Sequence, residues 1–377
     1  MYNRSVDQTF KFDVILEEED LCNREREKKR LIGVMRRQGR IVIYSLRRMG
    51  KTSLVHVCSQ KIKQQNPRVF NLYVDLNEVV SLEEIAARFR SHHELALKEN
   101  FPIRSAQSFL NTLLSRLNVN LPGDIELSLD HYAHGYPEKY LLLLFDELNK
   151  MSKKNAVVLI LDEFQGIANQ SAAQALLRRE VKKLNRAAIV LMGSNQRLLY
   201  KMFNDKTKPF FGFGEDLELG PIPLVDYLPY MNERFGAKEI IITKETASYL
   251  IAKMNQIPNY INELCAWIVD TMENIQQLTK NLVDEALEAC VASKRGRYES
   301  ALYGYNHNQK IFLKTVARLG RVKAHTGMEM KGLTGLTATE LTRVHAAMED
   351  SPLISRDINA QLFILDPFLQ KYLELIF

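Results

Sequence analysis

Two strings in this sequence carry residue types suited to phosphate chemistry. The first is Ser45-Leu46-Arg47-Arg48-Met49-Gly50-Lys51-Thr52-Ser53, which follows the apolar stretch Ile41–Tyr44 and leads into a helical pattern ending near Gln64. A glycine that turns a strand into a helix lets backbone N–H groups face an anion, and the helix dipole favours negative charge there. Lys51 then offers a cation for the outer phosphates, and the Thr52 hydroxyl offers a hard ligand for Mg²⁺. The expected nucleotide loop is therefore Ser45, Arg47, Arg48, Met49, Gly50, Lys51, Thr52 and Ser53. It departs from the pattern GxxxxGK[ST] at one place, because Ser45 stands where the first glycine belongs. A small residue suffices there if its φ is negative.

The second string is Val157–Leu161 followed by Asp162 and Glu163, a buried strand that ends in two acids. Asp162 is placed to hold the magnesium shell, and Glu163 to polarise an attacking water. A similar string, Tyr140–Phe145 with Asp146 and Glu147, is rejected because its apolar residues continue at helical spacing through Leu148 to Met151. A third segment, Gly193-Ser194-Asn195, follows the apolar run Ala188–Met192. A small polar residue beside the acids could orient water or touch the terminal phosphate, which makes Ser194 and Asn195 candidates; an ordinary turn is the other reading. The catalytic set is thus Glu163, Lys51, Asn195 and Ser194, the metal set is Thr52 and Asp162, and the cofactors are ATP and Mg²⁺.

These residues need a frame. Strands are expected at 40–44, 69–75, 157–161, 188–192 and 217–221, with helices between them, including one that Ser81 caps and Glu84 closes. The stretch 95–150 reads as mostly helical, with a turn at Leu121–Asp124. Alternation of strand and helix predicts an α/β class with a doubly wound parallel sheet. From about residue 225 the pattern turns helical. Near the end, a helix over Asn308–Leu319 closes at Gly320, and a second one opens with a capping box at Thr337 and Glu340. A β-like close follows, at 352–355 and 361–365.

Composition narrows the class further. The chain has 377 residues, 46% hydrophobic and 25% charged, as expected for a soluble protein of two or three domains. Cys22, Cys58, Cys265 and Cys290 share no metal-ligand spacing, which argues against a zinc module or a disulfide scaffold. The N-terminus lacks a signal-peptide core and no apolar run is long enough to span a bilayer, so a cytoplasmic location without membrane contact is expected. A net charge of +6 permits a polyanionic partner.

Taken together, these residues resemble the archaeal-type ATPase family, a branch of the AAA+/STAND P-loop ATPases. The resemblance rests on Asn23-Arg24-Glu25, Arg47 to Leu54, Asp162-Glu163-Phe164-Gln165, Gly193-Ser194, Lys208 to Gly212, Ile257-Pro258 with Tyr260, and Leu365-Asp366-Pro367. It implies a P-loop NTPase parallel sheet with helices on both faces, then a helical lid and a C-terminal winged-helix domain. The corresponding segments are 1–222, 223–300 and 301–377. It also implies a nucleotide contact from the lid at Pro258. Family members carry an arginine finger just after the Pro-aromatic-aromatic-Gly string, where this chain has Phe213. With Ser45, that departure implies slow hydrolysis or stable ATP holding. The implied function is a Mg-dependent ATPase that acts as a nucleotide-controlled molecular switch. The alternatives are a DNA-associated ATPase that recruits or loads partners through the winged helix, and a non-hydrolysing nucleotide-bound scaffold.

The implied partners are ATP and ADP, DNA or protein at the winged helix, and further copies in an oligomer. Arg318, Arg321, Lys323, His325, Lys331 and Arg343 would supply phosphate contacts, whereas Glu340, Glu349 and Asp350 oppose DNA. Lys294–Arg297 reads as a solvated basic linker, and Trp267 as core.

Overall fold

The computed structural model describes residues 9–100, 135–349, 351–357 and 359–375. The expected turn at Leu121–Asp124 and Asp350 lie outside the described residues. The chain divides into two compact units, Ile15–Gly220, and Pro221–Phe377 together with the N-terminal stretch through Val14.

The first unit is built on parallel strands β1 (Arg40–Tyr44), β2 (Phe70–Asp75), β3 (Val157–Asp162), β4 (Ala187–Gly193) and β5 (Glu215–Glu218). Their order is β2-β3-β4-β1-β5. Between and around them run α1 (Glu25–Arg36), α2 (Lys51–Gln65), α3 (Leu82–Asn100), α4 (Pro137–Ser152), α5 (Ser171–Lys183) and α6 (Gln196–Asn204). Every residue of β3 and β4 is buried, as central strands covered on both faces must be. Val157, Leu159 and Leu161 pack with Phe89, Tyr140, Leu144 and Leu177, while the pleat turns Val158 and Ile160 to the opposite face. The acid-bearing stretch around Asp146 is helical, within α4, because Tyr140, Leu141, Leu144, Phe145 and Leu148 form one buried stripe. The fifth strand begins two residues earlier than expected. Glu215–Glu218 pair with β1, and Pro221 has no N–H to extend the ladder.

The second unit begins with α7 (Leu224–Gly236), β6 (Ile241–Ile242), α8 (Lys244–Lys253), α9 (Pro258–Thr271), β7 (Gln277–Leu278), α10 (Lys280–Ser293) and α11 (Arg295–Tyr303). It continues with α12 (His307–Leu319), α13 (Met328–Thr334), α14 (Ala338–Met348), β8 (Ile354–Arg356), β9 (Leu362–Ile364) and α15 (Pro367–Leu375). Strands β8 and β9 form an antiparallel hairpin, and Val322 bridges to Leu362 at its edge. Helix, bridge, two helices and hairpin give the winged-helix order. Both predicted caps of this module are present, Gly320 closing α12 and Thr337 with Glu340 opening α14.

Three expectations change. The N-terminal stretch, grouped above with the ATPase segment, packs in the second unit: Phe10 is fully buried against Phe235 and Tyr230, and Asn262 Nδ2 donates to the Lys11 carbonyl at 2.8 Å. Within Lys294–Arg297 only Lys294 departs from the solvated reading: its Nζ lies 2.6 Å from Glu263 Oε1 and 3.7 Å from the centre of the Phe368 ring, while Arg295, Gly296 and Arg297 are exposed at the start of α11. Trp267 is half-buried rather than core. Among the described residues, no helix is long and apolar enough to cross a membrane.

Candidate functional site

The phosphate loop leaves the carboxyl end of β1, between β4 and β5. Tyr44 lies level with Gly193 on one side and Glu218 on the other. The carboxyl edge of an open parallel sheet is where ligands bind such folds, because loops there can diverge around a crevice. Ser45 is fully buried, its φ is not positive, and its Oγ donates to the Leu46 carbonyl at 3.0 Å. The missing glycine is therefore not needed for backbone geometry. The left-handed conformations fall instead at Arg48 (φ 67°) and Gly50 (φ 84°).

Helix α2 starts at Lys51 with Gly50 as its N-cap. Among the described residues, no side chain caps it and its first turn holds no acid. A Cβ at Gly50 would meet nothing within 4 Å. A helix start with N–H groups left uncapped by side chains and an open approach fits an anion.

The acids come to meet this loop. Lys51 Nζ lies 3.4 Å from Glu163 Oε1 and 3.9 Å from Asp162 Oδ1, with its side chain 7% exposed. Thr52 Oγ1 donates to Asp162 Oδ2 at 3.0 Å, and Tyr73 donates its hydroxyl to the same oxygen at 2.9 Å. Asp162 Oδ1 accepts from the Glu163 N–H at 2.7 Å. Burial pushes the Asp162 carboxyl above the ordinary value. It acts against the nearby Lys51 charge and is reinforced by Glu163.

Glu163 sits in the left-handed region with φ 46°. Its Oε2 accepts from Ser194 Oγ at 2.7 Å, from the Ser194 N–H at 3.2 Å, and from Gln165 Nε2. Burial alone would push this carboxyl up. The Lys51 charge, with the hydrogen bonds from Gln165 and Ser194, overcomes that and holds it below the ordinary value. Ser194 Oγ in turn accepts from Arg47 Nε at 3.3 Å and from Gln165 Nε2 at 3.5 Å. One donor and two acceptor positions are thereby used, which is the full capacity of a hydroxyl.

Lys51, Thr52, Asp162, Glu163, Ser194 and Arg47 thus converge. Other predicted residues have different tasks. Asn195 Oδ1 accepts from the Leu198 N–H at 3.1 Å as the N-cap of α6. Ser53 Oγ accepts from the Leu16 N–H at 3.0 Å and ties down the preceding chain. Met49 is buried and its carbonyl accepts from Arg24 Nη2 at 3.5 Å. Pro258 belongs to the second unit, at the first turn of α9, where its carbonyl accepts from the Tyr227 hydroxyl at 3.4 Å.

Phe213 is buried among Phe203 and Phe210, and Phe210 in turn packs edge-on to Phe164, the neighbour of Glu163. The Arg178 guanidinium lies over the Phe213 ring at 5.2 Å. The position is a core anchor for the acid-bearing turn. Sequence reasoning assigned no role to Gln165 or Tyr73. For Gln165 the only signal was the Asp-Glu-Phe-Gln string; for Tyr73 it was the alternation along β2, which sets Tyr73 on the same face as Asn71.

The donors around Asp162 and Thr52 are oxygens, which suits Mg²⁺. Among the described residues, no group of three or more His, Cys, Asp or Glu could hold a metal ion.

Solved structures share the fold. A Walker-type ATPase of Pyrococcus abyssi matches with TM-score 0.67 and 16% identity, over 97% of this chain and 99% of that one. The Aeropyrum pernix Orc2 protein, solved as ADPNP-ADP complexes, matches with TM-score 0.53 and 15% identity over 98% and 97%. The Orc1 protein of the same organism, solved in complex with DNA, matches with TM-score 0.51 and 14% identity over 94% and 92%. No protein-family model and no curated protein matches the chain. The chain has the P-loop NTPase α/β fold that the resemblance implied.

Proposed function

We propose that this chain binds ATP with Mg²⁺ at the loop around Lys51 and hydrolyses it slowly, as a nucleotide-controlled molecular switch. One observation carries the reading: Lys51 and Thr52, from the loop, meet Asp162 and Glu163, from β3, within hydrogen-bond or ion-pair reach. Thr52 and Asp162 would hold the magnesium, which supplies charge neutralisation at the β- and γ-phosphates. Lys51 would exchange its carboxylate partners for phosphate oxygens. Glu163 would polarise the attacking water as the general base. Slow turnover follows from the buried Phe213 at the arginine-finger position, since such an arginine is worth several orders of magnitude in rate. A cytoplasmic location belongs to the same reading.

The test is ATP binding and phosphate release by the purified chain, alongside Lys51→Ala and Glu163→Gln. Loss of binding in the first and of turnover in the second supports an ATPase. Tight ATP retention without phosphate release in the unaltered chain selects the scaffold alternative, and absence of binding overturns the proposal. A scattering profile that ATP leaves unchanged would count against the switch.

A second reading, association with DNA, is favoured by the surface of α14. Thr339, Thr342, Arg343, Ala346 and Ala347 are exposed, a small polar face of the kind that enters a major groove. Glu340 is turned back into its capping box and does not spread its charge over that face. Of the other expected phosphate contacts, Arg318, Arg321, Lys323 and Lys331 are exposed. Arg321 also stacks 3.7 Å from the Phe363 ring centre beside Asp357, and the partly buried His325 is stacked on His345. DNA affinity that falls steeply with salt, and weakens in Arg343→Ala, would support this reading.

A further inference from the structure

We infer that Tyr73 is a positioning residue that fixes the carboxylate plane of Asp162 for magnesium; the inference rests on the nucleotide reading above. Along β2, Phe70, Leu72 and Val74 are buried in the core, and Asn71, Tyr73 and Asp75 take the other side of the pleat. That side faces α2, because Asn71 Nδ2 donates to the carbonyl of Ser59. Tyr73 pairs in register with Ile160, so Asp162 is its diagonal neighbour on the same face, two residues toward the carboxyl end of β3. A diagonal pair is about 7–8 Å apart, a gap that a phenol can span and a shorter side chain cannot.

The contact is specific. Asp162 Oδ2 receives both the Tyr73 and the Thr52 hydroxyls, at 2.9 and 3.0 Å, while Oδ1 is held by the Glu163 N–H. Thr52 arrives on the loop helix, α2. Tyr73 arrives from the sheet, and its ring lies against His92 of α3 at 6.0 Å between centroids. A hydroxyl can ligate a cation through its oxygen while still donating its proton to the carboxylate. Thr52 therefore has two tasks at the metal. Tyr73 has one, holding Asp162 at a fixed angle whether or not Thr52 shifts. Outer hydrogen bonds of this kind orient metal-binding carboxylates, and their loss weakens metal affinity by about ten- to a hundredfold.

The experiment measures ATP binding calorimetrically by the full chain, first in EDTA and then at stepped MgCl₂, for the unaltered protein, Tyr73→Phe and Asn71→Ala. Tyr73→Phe keeps the ring and its packing, while Asn71→Ala removes a polar side chain from the same strand face away from the acids. The expected result for Tyr73→Phe is a Mg²⁺ half-saturation raised about ten- to a hundredfold with ATP affinity in EDTA unchanged. Asn71→Ala should match the unaltered chain in both. An unchanged Mg²⁺ half-saturation in Tyr73→Phe overturns the inference, as does an equal loss of both affinities, which would mean a merely structural role. If the unaltered chain binds ATP but shows no magnesium dependence, the positioning role falls while the nucleotide reading stands. Absence of ATP binding by the unaltered chain overturns both.

Discussion

Lys51 Nζ stands 3.4 Å from Glu163 Oε1, so the loop's cation and the candidate general base neutralise each other in a site where both are largely buried. The remaining oxygen of Glu163 is held by Ser194 and Gln165. A phosphate drawn to Lys51 would compete for this pairing, which ties nucleotide binding to the freedom of Glu163.

The Glu163 carboxyl is held below its ordinary value of 4.5 in the fold. Its ionised form therefore stabilises the protein above that pH, and the contribution is lost as pH falls through the lower, folded-state value. Glu163→Gln should melt below the unaltered chain at pH 7, and the gap should close on acidification below about 4.5. Thermal melts of the two proteins across that range check it, and a gap independent of pH would sink the assignment.

Ser194 and Asn195 are neighbours in sequence with separate tasks. A hydrogen bond to a charged group is worth about 1.5–3 kcal/mol, so Ser194→Ala should slow phosphate release about ten- to a hundredfold with ATP binding retained. Asn195→Ala should instead cost about 1 kcal/mol of stability through loss of the α6 cap and leave turnover alone. Equal turnover losses in the two variants would contradict this division.

Gly193 matters for close approach. A Cβ there would lie 1.9 Å from Gln165 Oε1 and 3.0 Å from Leu199 Cδ1. Gly193→Ala should displace the Gln165 amide from Glu163 and destabilise the unit by roughly 1–3 kcal/mol, as overpacking does. Denaturant unfolding measures the second effect, and a phosphate-release assay the first.

Phe213 tempts a repair that should fail. An arginine placed there would put a charge into the cluster of Phe203 and Phe210, next to Arg178 and near Arg40. Phe213→Arg should cost at least the roughly 3–5 kcal/mol expected for losing a core phenylalanine, with no gain in hydrolysis rate. An accelerated, stable variant would show that the site is reached from this position after all.

The sequence by itself determined the strand–loop–helix at Lys51, the strand ending at Asp162, and the helical nature of the rival string near Asp146. Each of these follows from local periodicity and turn chemistry over a few residues. It also marked the C-terminal end of α12 and the N-terminal end of α14, because Gly320 and the pair Thr337–Glu340 act within one turn; α13, which lies between them, is not among the expected helices. Only the tertiary structure decided what lies across strands: that Tyr73 reaches Asp162, that Gln165 and Ser194 share Glu163, that Asn195 is occupied as a cap, and that Phe213 is core. Sheet order brings together residues at the ends of β1, β2, β3 and β4 that are as much as 147 positions apart, as Arg47 and Ser194 are. Hydrogen bonds at such separations depend on which strands are neighbours and in what register, and no local pattern in a chain records either.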